Sequence, residues 1–167
     1  IGSFVVRNPR YHTLFGPVSI SSAYALASRH LIVKFLTMAG LRHERADEVR
    51  ARSPFRSPKF TPGRWMGDDM AALARILRDA DDVSEVVADF EPDAKGIPVL
   101  LGQYLKLGAR VLSFNVDHDF GGCLDALVTV DLRRCDRKLL KRYAGEAGMK
   151  QFLAVHAVRE SEAAPAR

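Results

Sequence analysis

The stretch Ile97–Asp131, IPVLLGQYLKLGARVLSFNVDHDFGGCLDALVTVD, carries the plainest succession of structural signals in the chain and its densest group of candidate reactive side chains. Pro98 has no backbone donor to lose at a first helical position. Val99, Leu100, Tyr104, Leu105 and Leu107 then follow at roughly helical spacing until Gly108 stops the run. Val111–Val116 is rich in β-branched and aromatic residues, and Leu124–Leu132 reads as a strand more strongly still. Between them Asp117-His118-Asp119-Phe120-Gly121-Gly122 is turn chemistry, because Asp and Gly tolerate the backbone angles of a tight reversal. The stretch is therefore expected to form helix, strand, turn, strand.

Working outward toward the amino terminus, Ile1, Phe4 and Val5 suit the closing turns of an amphipathic helix. Asn8-Pro9 stops it, since a residue before proline is pushed out of the helical region. Thr13–Ile20, TLFGPVSI, predicts a buried strand with a bulge or bend at Gly16-Pro17, and Ser19, Ser21 and Ser22 cluster at its carboxyl end. From about Ser22 to Gly40, Leu26, Leu31, Ile32, Phe35 and Leu36 recur at three- and four-residue steps. This predicts an amphipathic helix with a serine N-cap and a glycine stop, packed on a sheet, with His30 as a solvated side chain.

Arg42–Arg64 changes character, carrying seven cations with Pro54, Pro58 and Pro62 among them. An ordered surface loop is expected. Its functional reading is an anion-docking arm contacting a membrane or carrier through Arg50, Arg52, Arg56 and Lys59, with Phe55, Phe60 and Trp65 interleaved. Asp68–Asp79 predicts a short helix opened by an acidic pair, and the acidic segment from Asp81 to Pro92 helix or loop. After the central stretch, Arg137–Ala147 predicts a basic helix, Phe152–Val158 a last strand or helix, and Ser161–Arg167 a frayed polar tail. Interleaved helices and strands place the chain in the α/β or α+β class with a mixed sheet.

Composition sets outer bounds. One domain over residues 1–158, followed by a flexible tail at 159–167, is expected of 167 residues, which bury enough surface to need neither disulfides nor metals. With 47% hydrophobic and 27% charged residues, disorder of the bulk of the chain is excluded. Cys123 and Cys135 form no CxxC or Cys/His grouping, which argues for reduced thiols in a cytoplasmic protein and against a zinc site. No apolar run reaches the length of a membrane span, and no secretory signal opens the chain. The chain starts at Ile1 without an initiator Met and is read as part of a longer protein. A net charge of +5 favours acidic partners, but no nucleic-acid motif accompanies it, so no nucleic acid is expected.

The usual catalytic signatures are absent: there is no GxxxxGK[ST], GxGxxG, GxSxG or HExxH, and no His stands five residues before an Asp. Arg142-Tyr143-Ala144-Gly145-Glu146-Ala147 fits the loose RxxGxA pattern of an acetyl-CoA pyrophosphate loop, yet falls within or just after a basic helix, where such a loop lacks its preceding strand.

Pro98–Ala109, PVLLGQYLKLGA, followed by Asp117-His118-Asp119-Phe120 and Asp125, resembles the PPLLKGYLRLGA…D.DF…D signature of ornithine-lipid-synthase-type N-acyltransferases, often labelled putative hemolysins. Arg7-Asn8-Pro9-Arg10-Tyr11 with Leu14–Ser21, LFGPVSIS, resembles the preceding RNPRYRTLFGPVSIS segment of a branch joined in some members to a phospholipid acyltransferase domain. The resemblance covers about two thirds of the chain. It implies a GNAT-like mixed sheet flanked by helices, in which Thr13–Ile20 is the second of two splayed strands holding the pantetheine arm. The first strand and the phosphate-cradling turn would precede Ile1, leaving the domain incomplete and the donor site unfinished.

The function so implied is transfer of a fatty acyl group from acyl carrier protein or CoA to an ornithine-like amine or a lysolipid. No cofactor is tightly bound, and the protein is cytoplasmic or peripheral on the inner face of the membrane. Direct attack needs a base for the amine proton and donors for the oxyanion. Asp119, His118 and Asp117 are the candidate catalytic groups; Ser19, Ser21, Tyr104 and Asp125 are the candidate substrate contacts; no metal is expected. The rival expectation is a non-catalytic basic module docking on anionic membrane or an acidic carrier protein.

Overall fold

The computed structural model describes residues 2–38, 40–56, 77 and 79–163. Among them are five α-helices and three strands: α1 Gly2–Arg7, β1 Thr13–Ile20, α2 Leu26–Met38, α3 Ala80–Phe90, α4 Val99–Lys106, β2 Arg110–Asp117, β3 Cys123–Asp131 and α5 Arg137–Ala163. The strands form one antiparallel sheet in the order β1-β3-β2, and the fold is α+β. The chain divides into two compact units, Ile1–Leu14 with Val130–Arg167, and Phe15–Thr129.

In the larger unit, β2 and β3 form the expected hairpin, in register from Val111 opposite Val128 to Asp117 opposite Cys123, with an irregularity between Val111 and Ser113. Leu124, Ala126 and Val128 alternate onto the core face of β3, where burying apolar side chains drives assembly. Ile32 and Leu36 of α2, Val83 and Val87 of α3 and Leu101 of α4 are fully covered, and α2 packs on α3, α3 on α4, and α2 on β2. Pro98 serves as the N-cap of α4, one position earlier than expected.

Four expectations are corrected here. First, β1 is buried on one face only: Val18 and Ile20 point inward, whereas Phe15, Pro17 and Ser19 are exposed. β1 lies at the end of the strand order, which is where a proline without an N–H is tolerated. Second, α2 starts at Leu26, not near Ser22, and no serine caps it. The Ser21 hydroxyl closes a local turn by accepting from the Ala23 N–H at 3.1 Å, and Glu91 Oε1 accepts the Ala25 N–H at 2.8 Å. A carboxylate from the end of α3 thus satisfies a backbone donor at the start of α2.

Third, residues 41–56 are more than a surface loop, since they run along the outer edge of β2. Val111 N–H donates to Leu41 O at 2.7 Å, His43 N–H to Val111 O at 2.8 Å, and Val116 N–H to Ser53 O at 2.7 Å. The segment occupies donors and acceptors that an exposed edge would offer to another chain. Residues 57–64, with Phe60, and Trp65 lie outside the described residues, as do residues 68–76 and 78 of the expected Asp68–Asp79 helix. Asp79 is the N-cap of α3, accepting from the Asp81 and Asp82 N–H groups. Fourth, His30 is not a solvated side chain: its ring packs against Phe55 at 4.8 Å, and burial followed by the neighbouring Arg29 charge lowers its pKa below 6.5.

The smaller unit is built from the two ends of the chain. α1 packs on α5, and Phe152, Val5, Val130, Leu132 and Leu140 are buried in it. His156 Nε2 donates to Pro9 O at 2.7 Å, and its ring meets His12 edge-on at 5.3 Å. The segment Phe152–Val158 is helical, as part of α5, and the helix runs on to Ala163. Gly145, with φ 75° and ψ 166°, breaks α5 into two helical segments, a conformation that an L side chain resists. The RxxGxA pattern accordingly sits between two helices and not after a strand.

Candidate functional site

Residues from the two segments LFGPVSIS and Asp117–Asp125 meet on the sheet face turned away from the α2–α4 core. Ser19, exposed on β1, and Asp125, half-buried on β3, lie 106 positions apart in sequence, and the Ser19 hydroxyl donates to Asp125 Oδ1 at 2.6 Å. Strand alternation explains the meeting. With Val18 and Ile20 inward on β1 and Leu124 and Ala126 inward on β3, Ser19 and Asp125 must both stand on the opposite face.

Asn115 of β2 is the register partner of Asp125 and shares that face. Its Oδ1 accepts the Ser53 N–H at 2.8 Å, and Pro54 bridges to Asn115 in antiparallel fashion. A continuous row results, running Ser19, Asp125, Asn115, Pro54. Asn115 was not among the sequence candidates; the available signal was an amide between the apolar Phe114 and Val116.

The Asp117–Gly122 turn is organised by Asp117 itself. Its Oδ1 accepts the Asp119 and Phe120 N–H groups, both at 3.0 Å, and its carbonyl accepts the Gly122 N–H at 2.8 Å. Gly121 and Gly122 both take positive φ, 64° and 72°, which closes the hairpin without Cβ strain. Asp117 is therefore engaged in turn formation. His118 and Asp119 are exposed on the hairpin tip, next to Phe120 at 70% exposure.

The other candidates are dispersed. Ser21 is occupied by its own turn. Tyr104 is half-buried on α4, and its hydroxyl has no hydrogen bond among the described residues, so nothing joins it to the Ser19–Asp125 pair. In the arm, Arg42 pairs with Asp47 and Arg45 with Glu48, each at 2.6 Å, whereas Arg50, Arg52 and Arg56 are exposed and make no ion pair among the described residues. Lys59 lies outside the described residues. Among those described, no group of three or more His, Cys, Asp or Glu side chains is placed to hold a metal ion, and no helix is long and apolar enough to cross a membrane.

Elsewhere in the larger unit, Glu91 is the buried charge. The buried Ser28 hydroxyl holds its pKa below 4.5 against the opposing effect of burial, helped by the Ala25 N–H and by Lys95 at 3.3 Å. Its partners are all structural, tying α2 to the turn after α3. The chain matches no protein-family model, no curated protein and no solved structure.

Proposed function

We propose that the protein transfers a fatty acyl group from an acyl carrier protein or CoA thioester to an amine of ornithine type or a lysolipid, in membrane lipid synthesis, and that Ser19 and Asp125 hold the acceptor. One observation carries this reading: the two motifs of the acyltransferase resemblance, remote in sequence, converge on a hydrogen-bonded Ser–Asp pair on a solvent-accessible sheet face.

The chemistry follows from the pair. With Ser19 fixed on Oδ1, Asp125 Oδ2 is left to receive an ammonium, and a carboxylate holding the ammonium is also placed to take its proton. Asp125 takes one proton from the bound ammonium, the neutral amine attacks the thioester carbonyl, the C–N bond forms as the C–S bond breaks, and the second N–H proton goes to the leaving thiolate, which departs as the thiol. Asp119 and His118, on the tip of the hairpin that leads into β3, pass the proton taken up by Asp125 on to solvent, and Tyr104, on α4 and unconnected to the pair, takes no part. Asp117 shapes the turn. The protein works on the cytoplasmic face of the membrane, at its surface.

Mass-spectrometric product analysis with a long-chain acyl carrier thioester and a mixture of ornithine, other amines and lysolipids tests the reading. Asp125→Asn is expected to reduce acyl transfer about a hundredfold and Ser19→Ala about tenfold, the range for loss of a positioned base or its partner. Asp119→Asn is expected to have the smaller effect of a relay. Unchanged turnover in all three variants of an active parent would overturn the assignment.

A second reading rests on the exposure of Arg50, Arg52 and Arg56: a non-catalytic basic module that docks on anionic membrane. It predicts binding to phosphatidylglycerol vesicles that disappears with rising salt, without any acyl product.

A further inference from the structure

The row that carries Ser19 and Asp125 does not stop at β2. Pro54 stands opposite Asn115, flanked by the two hydrogen bonds of a non-hydrogen-bonded antiparallel pair, Val116 N–H to Ser53 O at 2.7 Å and Phe55 N–H to Phe114 O at 3.5 Å. Side chains of paired residues lie on one face, so Pro54 shares the face of Asn115 and hence of Asp125. Exposure alternates accordingly along the arm: Arg52, Pro54 and Arg56 are exposed, while Ala51, Ser53 and Phe55 are half-covered, Phe55 against His30 of α2. With Pro54 fixed on that face by its pairing, the alternating exposure puts Arg52 and Arg56, one on either side of it, toward the face of the Ser–Asp pair. Two strand spacings, about 10 Å, separate Pro54 from Asp125, a span within the combined reach of long arginine side chains and a small ligand.

Charge sets Arg52 and Arg56, like Arg50, apart from Arg42 and Arg45. Arg42 and Arg45 are matched by Asp47 and Glu48 on the arm itself, but Arg52 and Arg56 have no acidic partner among the described residues. The arm's position is fixed by Asn115, whose amide oxygen holds Ser53 beside the row. A carboxylate and a pair of guanidinium groups thus stand on one face, separated by the width of a strand pair. Such a face complements a ligand bearing both signs of charge: an ammonium toward Asp125 and a planar or tetrahedral anion toward arginine, whose fork of N–H donors matches carboxylate and phosphate oxygens.

We propose that Arg52 and Arg56 determine acceptor specificity by binding a negative group, carboxylate or phosphate, that the acceptor carries near its amine. This rests on the reading of Ser19 and Asp125 as the amine site.

Isothermal titration calorimetry of the protein, its Arg52→Gln/Arg56→Gln double variant and its Asp125→Asn variant tests it, with all three checked for unchanged circular dichroism. The probes are ornithine, 1,4-diaminobutane as the same amine without the carboxylate, and phosphoethanolamine. The unsubstituted protein is expected to bind at least one anionic amine about tenfold or more tighter than the diamine, 1.4 kcal/mol at 25 °C. The double variant is expected to lose that preference with no weakening of diamine binding, and Asp125→Asn to weaken every probe that binds. Whether ornithine or phosphoethanolamine is preferred distinguishes carboxylate from phosphate. Equal affinities for all three probes, or a preference that survives in the double variant, would overturn the arginine assignment while an Asp125→Asn effect keeps the amine site. No binding of any probe, or binding indifferent to Asp125→Asn, would remove both.

Discussion

Asp117 and Asp125 show how two carboxylates close in sequence acquire different work. Asp117 accepts two backbone N–H groups in its own turn, so Asp117→Ala is expected to loosen the hairpin at a cost of about 1 kcal/mol, the usual loss on removing such a cap, measurable by urea unfolding. Asp125 has a single side-chain partner across the sheet and keeps one oxygen for a ligand. The two thiols differ as well. Cys135 is buried, and desolvation followed by the Asp131 charge pushes its pKa up to about 11, so at pH 8 it stays protonated. Maleimide labelling followed by peptide mapping should find Cys123, which is partly exposed, modified first, with Cys135 protected until the protein unfolds.

At the scale of elements, the pairing of α1 with α5 depends on a missing side chain. A Cβ at Gly148 would run into the Val6 side chain, and one at Gly2 into the Tyr143 carbonyl, so at each of these two contacts one helix lacks a Cβ. Gly148→Val is expected to push α1 away and cost about 1–3 kcal/mol, the range for overpacking, read from thermal or urea unfolding. The arm along β2 is an element of another kind. Among its described residues, 41–56, the 3-10 turn Ala46–Glu48 is the one regular element, and they are held by backbone bonds to the strand edge and by Asn115. Asn115→Ala should release Ser53 and increase proteolysis at Arg50, Arg52 and Arg56, checked by limited trypsin digestion.

On the scale of the molecule, a buried glutamate and a half-buried aspartate shape the response to pH. Glu91 titrates below its ordinary 4.5 through Ser28, Ala25 and Lys95. For Asp131 burial works upward but is outweighed by the Arg133 hydrogen bonds and charge, leaving its pKa below 3.8. A carboxyl whose pKa is lower folded than unfolded binds fewer protons in the native state. Its contribution is complete above the unfolded pKa and is lost as pH falls through the folded one. Thermal melts should therefore hold steady on the acid side down to about pH 5, apart from the smaller loss from His30 below 6.5, and drop steeply below 4.5. Glu91→Gln is expected to lower the melting temperature at pH 7 and to flatten that acid slope. An unchanged slope would show that Glu91 is not held ionised.

Much of the architecture was legible along the chain because it is local. The strand runs Thr13–Ile20 and Leu124–Leu132, the helical spacing ended by Gly108 and the Asp/Gly turn each depend on residues within a few positions of one another, and each element stands within a residue or so of its expected limits, although the exposed face of β1 was not foreseen. The start of α2 was not legible in this way, since the group that meets its first donors is Glu91, 66 positions from Ala25. Nor was the partnership of Asp125 with Ser19, the role of Asn115, or the face on which Arg52 and Arg56 stand. Those follow from strand order and register, which bring together residues that no sequence window contains: a pattern of two or 3.6 residues tells which side of an element is apolar, but which elements then lie side by side is decided by how their apolar faces bury one another.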